Sequence, residues 1–126
     1  MKTSIAMALA AVVAAGATAI STEASADSIP VRPAGFSQCA GCHSTEAGKT
    51  VFGPSLSSVS GRRAGSLPGF AYSTALKSSG LTWNAKALDR WLTSPQQTVP
   101  GTRMPFAGIS DPVVRKSVVD YLLSLR

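Results

Sequence analysis

Five consecutive residues, Cys39-Ala40-Gly41-Cys42-His43, constrain this chain more than any other stretch. Two thiols separated by two residues, with an imidazole directly after the second, form the pattern of a c-type haem attachment site. Thiols at that spacing can add to the two vinyl groups along one edge of a porphyrin. The histidine is then held beneath the iron, where its neutral imidazole binds. Ala40 and Gly41 are small enough to let the backbone pass close to the ring. Other chemistries share parts of the pattern. A Cys-x-x-Cys pair can be a thioredoxin-like redox couple, but that motif belongs within a βαβ unit, and no strand alternation supplies one. A zinc site needs four ligands, and Cys39, Cys42 and His43 are three, so a carboxylate would have to come from elsewhere. A disulfide across so short a loop leaves His43 without a role.

The first 26 residues read as an address. Lys2 is followed by an apolar run from Ile5 to Ile20, and Ala24-Ser25-Ala26 closes it with small residues. Those are the three regions of a secretory signal peptide, with cleavage expected after Ala26. The run is short for a membrane anchor, which needs about 20 apolar residues. Export agrees with the haem reading, because c-type haem is attached outside the bacterial cytoplasm. Cleavage would leave one small domain over residues 27–126. Losing Lys2 and Glu23 takes 12 basic and 6 acidic groups to 11 and 5, so the net charge stays at +6. A domain of this size buries only about 60–70% of its unfolded surface, and a large apolar cofactor would supplement so thin a core.

Residues 27–33 form a polar lead-in containing Pro30 and Pro33. Pro33 can open a short helix that carries Gly35, Phe36 and the cysteine pair. Residues 44–73 are rich in Gly and Pro and have no helical or strand period. A loop of that length argues against most folds unless it has something to wrap, and Val51, Phe52, Leu56, Val59, Leu67 and Phe70 are expected to pack on the ring. Residues 73–79 form a short helix stopped by Gly80. Thr82 is expected to cap a helix from Trp83 to about Thr93, with Leu88, Trp91 and Leu92 on one face. Ser94-Pro95 ends it. A second open loop holds Pro100, Gly101 and Pro105. Asp111-Pro112 opens a final helix whose stripe of Val114, Val118, Tyr121, Leu122 and Leu125 is read as packing.

An iron built for electron transfer takes a second axial ligand on the face away from His43, and methionine, histidine and lysine can serve. Beyond residue 26, Met104 is the one methionine and His43 the one histidine. Met104 lies in Pro100-Gly101-Thr102-Arg103-Met104-Pro105-Phe106, a loop able to fold against the open face of a ring. A thioether favours Fe(II) and raises the reduction potential.

With these residues in view, the chain resembles class I c-type cytochromes of the mitochondrial cytochrome c and bacterial cytochrome c2 group. The likeness runs from Gly35 to Leu125. It rests on the Cys39–His43 pentapeptide, Gly53-Pro54-Ser55-Leu56, Gly61-Arg62-Arg63-Ala64-Gly65, Gly69-Phe70-Ala71-Tyr72-Ser73, Gly80-Leu81-Thr82-Trp83 and the Met104 loop, in the family's order. The resemblance implies an all-α fold, with three main helices, a short helix and long loops wrapped around one haem c held covalently by Cys39 and Cys42. It implies His43 and Met104 as iron ligands, and Pro54 as acceptor of the His43 Nδ1 proton. Tyr72 and Trp83 would bond the buried propionate, with Arg62 offsetting its charge. Thr102 would lie near the other propionate, and Phe106 would shield the methionine-side edge.

The chain also departs from that pattern. Trp91 stands where mitochondrial members have a tyrosine facing the methionine, and Leu76 where many have an asparagine. Trp is a donor only, so a drier methionine-side pocket is expected. Gln96 and Gln97 replace paired lysines, which thins a basic docking ring. The function implied is a soluble periplasmic one-electron carrier, not an enzyme, running from a cytochrome bc1-type donor to an oxidase-type acceptor. It would be a monomer that meets acidic docking faces, without nucleic acid or a membrane span. Two other roles share these features: a dedicated cytochrome subunit of a periplasmic dehydrogenase, and a weak peroxidase if Met104 leaves the iron.

Overall fold

The computed structural model describes residues 29–126. The expected signal peptide, with its expected cleavage after Ala26, lies outside the described residues. A 3-10 turn, Ala34–Phe36, runs into helix α1, Ser37–Ala40. Helix α2 spans Thr74–Ser78, α3 Ala85–Thr93, α4 Pro95–Thr98 and α5 Pro112–Ser124. Among the described residues there are no strands, only one isolated bridge between Arg63 and Thr82. The all-α architecture with long loops is therefore as expected.

The frame is the packing of α5 on α3 and on the N-terminal turn. Asp111 caps α5, its Oδ1 accepting from the N–H groups of Val113 at 2.8 Å and Val114 at 3.1 Å. Pro112 takes the first helical position, where no N–H partner is needed. Val118, Val119, Tyr121, Leu122 and Leu125 are buried along one stripe. Phe36 is buried with its ring edge-on to Tyr121, centroids 4.9 Å apart. Gly35 makes this crossing possible, since a Cβ there would lie 2.6 Å from Cγ1 of Val114. Arg115 fastens α5 to its surroundings, with Nε 2.7 Å from Asp89 of α3 and Nη1 2.8 Å from the Ile109 carbonyl.

Four local expectations change. Asn84, not Thr82, caps α3, with Oδ1 accepting from the Ala87 N–H at 2.9 Å. Thr82 and Trp83 are held extended instead: the Trp83 N–H donates to Arg62, and the Trp83 carbonyl accepts from Gly61, both at 2.9 Å. Backbone committed to that pairing cannot start a helix. Pro33 precedes the first turn as its cap and is not itself helical. Finally, Ser94-Pro95 ends α3 but at once starts α4, with Pro95 as its buried first residue and Ser94 accepting from Gln97. The same Ser-Pro pair that stops one helix is a start signal for the next.

Candidate haem site

One cavity of about 420 Å³ opens between these elements. Every residue to which the sequence assigned a cofactor role lies on its wall: Cys39, Cys42, His43, Pro54, Arg62, Tyr72, Trp83, Trp91, Thr102, Met104 and Phe106. They arrive from α1, from the loops either side of α2, from α3 and from the loop after α4.

His43 is held by its backbone turn and by one side-chain bond. The Cys42 and His43 N–H groups both donate to the Cys39 carbonyl, at 3.0 and 2.9 Å. This turn carries the imidazole from α1 to the cavity. Its Nδ1 lies 2.7 Å from the Pro54 carbonyl, the geometry of a donated N–H. That bond selects the tautomer in which Nε2 keeps its lone pair. Gly53 lies flat against the ring, where a Cβ would come within 2.5 Å of Cε1 and 2.8 Å of Nδ1. Burial lowers the His43 pKa, outweighing the Pro54 bond that raises it, so the neutral ring that binds metals is favoured. The cysteines are not bonded to each other. Cys42 is exposed, whereas burial, with Cys42 close by, raises the Cys39 thiol.

The rest of the wall is aromatic and aliphatic. Trp83 and Trp91 stack edge to face, centroids 5.2 Å apart. Phe70 and Tyr72 do the same at 4.8 Å. Arg62 and Arg103 are the two arginines on the wall, which carries no lysine. Arg62 is fixed by donating Nη1 to Ser57 and Nη2 to Ser55, at 3.1 and 2.9 Å. Burial raises the Tyr72 pKa, and the Arg62 charge and a backbone bond at Leu67 partly oppose it.

A mainly apolar cavity of this kind suits a porphyrin. Its neutral imidazole, thioether, free thiols and two cations match the ring's iron, vinyl groups and acid side chains. The residues present therefore fit haem.

Of the six loop residues expected to pack on the ring, Phe52, Leu56, Val59 and Phe70 line the cavity, while Val51 and Leu67 do not. The Val51 N–H donates forward to the Gly53 carbonyl at 3.2 Å. Both side chains between the bonded groups stay exposed, Val51 at 55% and Phe52 at 69%, and only Phe52 reaches the cavity. Leu88, Leu92 and Leu122, whose periodicity marks only helix packing, also reach the wall, as does Leu76. Helical spacing reports a buried face without saying whether the face meets protein or cofactor.

Comparison with known proteins agrees with this geometry. The Cytochrome c family matches residues 34–126. The chain is 47% identical over 94 residues to cytochrome c2 iso-2 of Magnetospirillum molischianum, covering 75% of this chain and 97% of that one. Against cytochrome c2 of Rhodomicrobium vannielii it is 46% identical over 88 residues, covering 69% and 70%. The structure of cytochrome cH from Methylobacterium extorquens superposes with a TM-score of 0.66 at 46% identity, over 70% of this chain and 89% of that one. Cavity, motif and relatives converge: the chain belongs to the class I c-type cytochromes of the cytochrome c family, electron-transfer proteins and not enzymes, which hold haem c covalently through two cysteines, here Cys39 and Cys42.

Proposed function

We propose that the chain is an exported, monomeric one-electron carrier whose iron is held by His43 and Met104. The observation that carries this reading is the pairing of two ligand types around one cavity. A neutral imidazole is oriented by Pro54, and the one methionine among the described residues lines the same cavity. Bound haem c supplies the Fe(III)/Fe(II) couple. The residues around it set the conditions. Pro54 makes His43 a better donor by accepting its Nδ1 proton. Trp83 and Tyr72 offer donors to a propionate, and Arg62 offers its charge. Thr102 serves the other propionate, and Phe106 and Leu76 keep water from the Met104 side. Trp91 can donate but not accept, so any bond it makes to Met104 runs one way, from N–H to sulfur.

The family and the leader-like first 26 residues support the physiological role we propose: a periplasmic carrier taking electrons from a bc1-type complex and passing them to an oxidase-type acceptor in a respiratory chain. Among the described residues no helix is long and apolar enough to cross a membrane, which suits a shuttle. The charge of +6 suits acidic partner faces.

Visible absorption of the purified holoprotein, oxidised and reduced, tests the ligand pair. A weak far-red band in the oxidised form, lost on reduction and absent in Met104→Ala, is the expected result. A high-spin spectrum in the parent protein, shifting with carbon monoxide, would remove Met104 from the iron and favour the peroxidase role.

A further inference from the structure

Gln96 is not part of the cavity wall, and it is exposed. Its side chain nevertheless reaches the loop that carries Met104. Nε2 donates to the Thr102 carbonyl at 2.9 Å and reaches the Met104 carbonyl at 3.4 Å. A primary amide nitrogen carries two protons, so one group can serve both acceptors. The Met104 carbonyl has a lone pair free for this, although it also accepts from Phe106 at 2.9 Å.

The anchor behind Gln96 is firm. Helix α4 is only one turn long, but Pro95 is buried, and Thr98 Oγ1 lies 2.8 Å from the carbonyls of both Arg90 and Ser94, which share its one proton. Gln96 is thereby referenced to α3 and the frame. The loop has few other outside ties. The Phe106 N–H bonds to the Met104 carbonyl inside the loop, and the Thr102 N–H bonds back to the Val99 carbonyl at the end of α4. Among the described residues, the side-chain hydrogen bonds joining residues 100–106 to the rest of the chain come from Gln96 and from Arg103, whose Nη2 lies 3.2 Å from the Tyr72 carbonyl. The neighbouring Gln97 side chain makes no such bond and lines a separate polar hollow on the surface with Asp89 and Arg90.

We propose that Gln96 is a positioning residue, its amide holding the 100–106 loop in the place that keeps Met104 on the iron. The proposal rests on Met104 being the ligand. An exogenous ligand must displace Met104, so its apparent affinity rises with the fraction of molecules whose loop has opened. Losing a partly exposed amide bond should raise that fraction about fivefold.

The test is an imidazole titration of the oxidised holoprotein, read by loss of the far-red band, for the parent, Gln96→Ala, Gln96→Glu and Gln97→Ala. Global unfolding is followed separately by circular dichroism. Gln96→Ala should bind imidazole about fivefold tighter with a nearly unchanged unfolding midpoint, while Gln97→Ala matches the parent. Gln96→Glu should weaken the loop more at neutral pH, where a carboxylate meets two carbonyls. It should recover as the pH falls through the carboxyl range, because a protonated carboxyl regains one donor. Parental imidazole affinity in Gln96→Ala would overturn the proposal, as would an affinity gain matched by an equal loss of global stability. A parent protein lacking the far-red band would bring down the Met104 assignment itself, and Gln96's role with it. A parent with the band and an indifferent Gln96→Ala would remove Gln96 alone.

Discussion

The two sides of the cavity are built by different means. On the His43 side, ligand and supports lie close in sequence, within residues 39–56. The Cys39 carbonyl receives two N–H groups, Gly53 donates to Cys42 at 2.7 Å and Leu56 to Ser44 at 2.8 Å, and the Pro54 carbonyl orients the imidazole. Behind them, Phe36 packs the N-terminal turn onto α5. On the Met104 side the loop is tied by two side chains, one reaching from α4 and the other reaching out to Tyr72. Short-range backbone bonds backed by a packed frame resist local opening, whereas a loop held by a few exposed polar contacts belongs to the low-stability end of a structure. The two proposed ligands thus differ in their support, His43 held in a braced turn and Met104 carried on a lightly tied loop.

The largest expected effect comes from removing the frame behind the fixed side. Phe36→Ala deletes a fully buried aromatic ring and its edge contact with Tyr121, and should cost about 3–5 kcal/mol of stability in chemical denaturation. A cost under about 1 kcal/mol would mean that the N-terminal turn does not brace His43. Gly53→Ala comes next. The added methyl collides with the imidazole and should cost about 1–3 kcal/mol, more than any single polar deletion on the Met104 side. Equal costs on the two sides would erase the contrast. Arg103→Ala removes one exposed tie and should lower global stability by no more than about 1 kcal/mol. Its effect should show instead as weaker retention of the far-red band on mild warming.

The smallest effect is a pH dependence at Tyr72. Burial raises its folded-state pKa above the unfolded value, so the stability it contributes is complete below the unfolded tyrosine range. That contribution is lost as pH rises through the folded pKa. Tyr72→Phe cannot ionise and should flatten this alkaline decline in denaturation midpoint. An unchanged slope would show that Tyr72 does not feel its burial.

These two sides were not equally legible in the sequence. Cys39, Cys42 and His43 announce their chemistry because covalent attachment demands one short spacing, and Asp111-Pro112 announces α5 because cap and proline act locally. Met104 is found by elimination among residue types. What supports it could not be read. Gln96 sits in a four-residue helix that a Ser-Pro stop conceals, and its acceptors are backbone carbonyls, which leave no trace in residue identity. Thr82 looked like a cap because caps are judged by residue type, while the pairing of Trp83 with Arg62 comes from 21 residues upstream. Gly53 shows the same limit. Its motif was visible, but its flat contact with the imidazole emerges only when the Pro54 carbonyl has turned the ring.

The most direct measurement follows the oxidised holoprotein through a denaturant titration, recording the far-red band and the helical circular dichroism together. Unequal support for the two ligands predicts that the band disappears at a clearly lower denaturant concentration than the helices, with the haem still attached. A single shared midpoint for both signals would contradict it, because the Met104 loop would then be no easier to open than the frame.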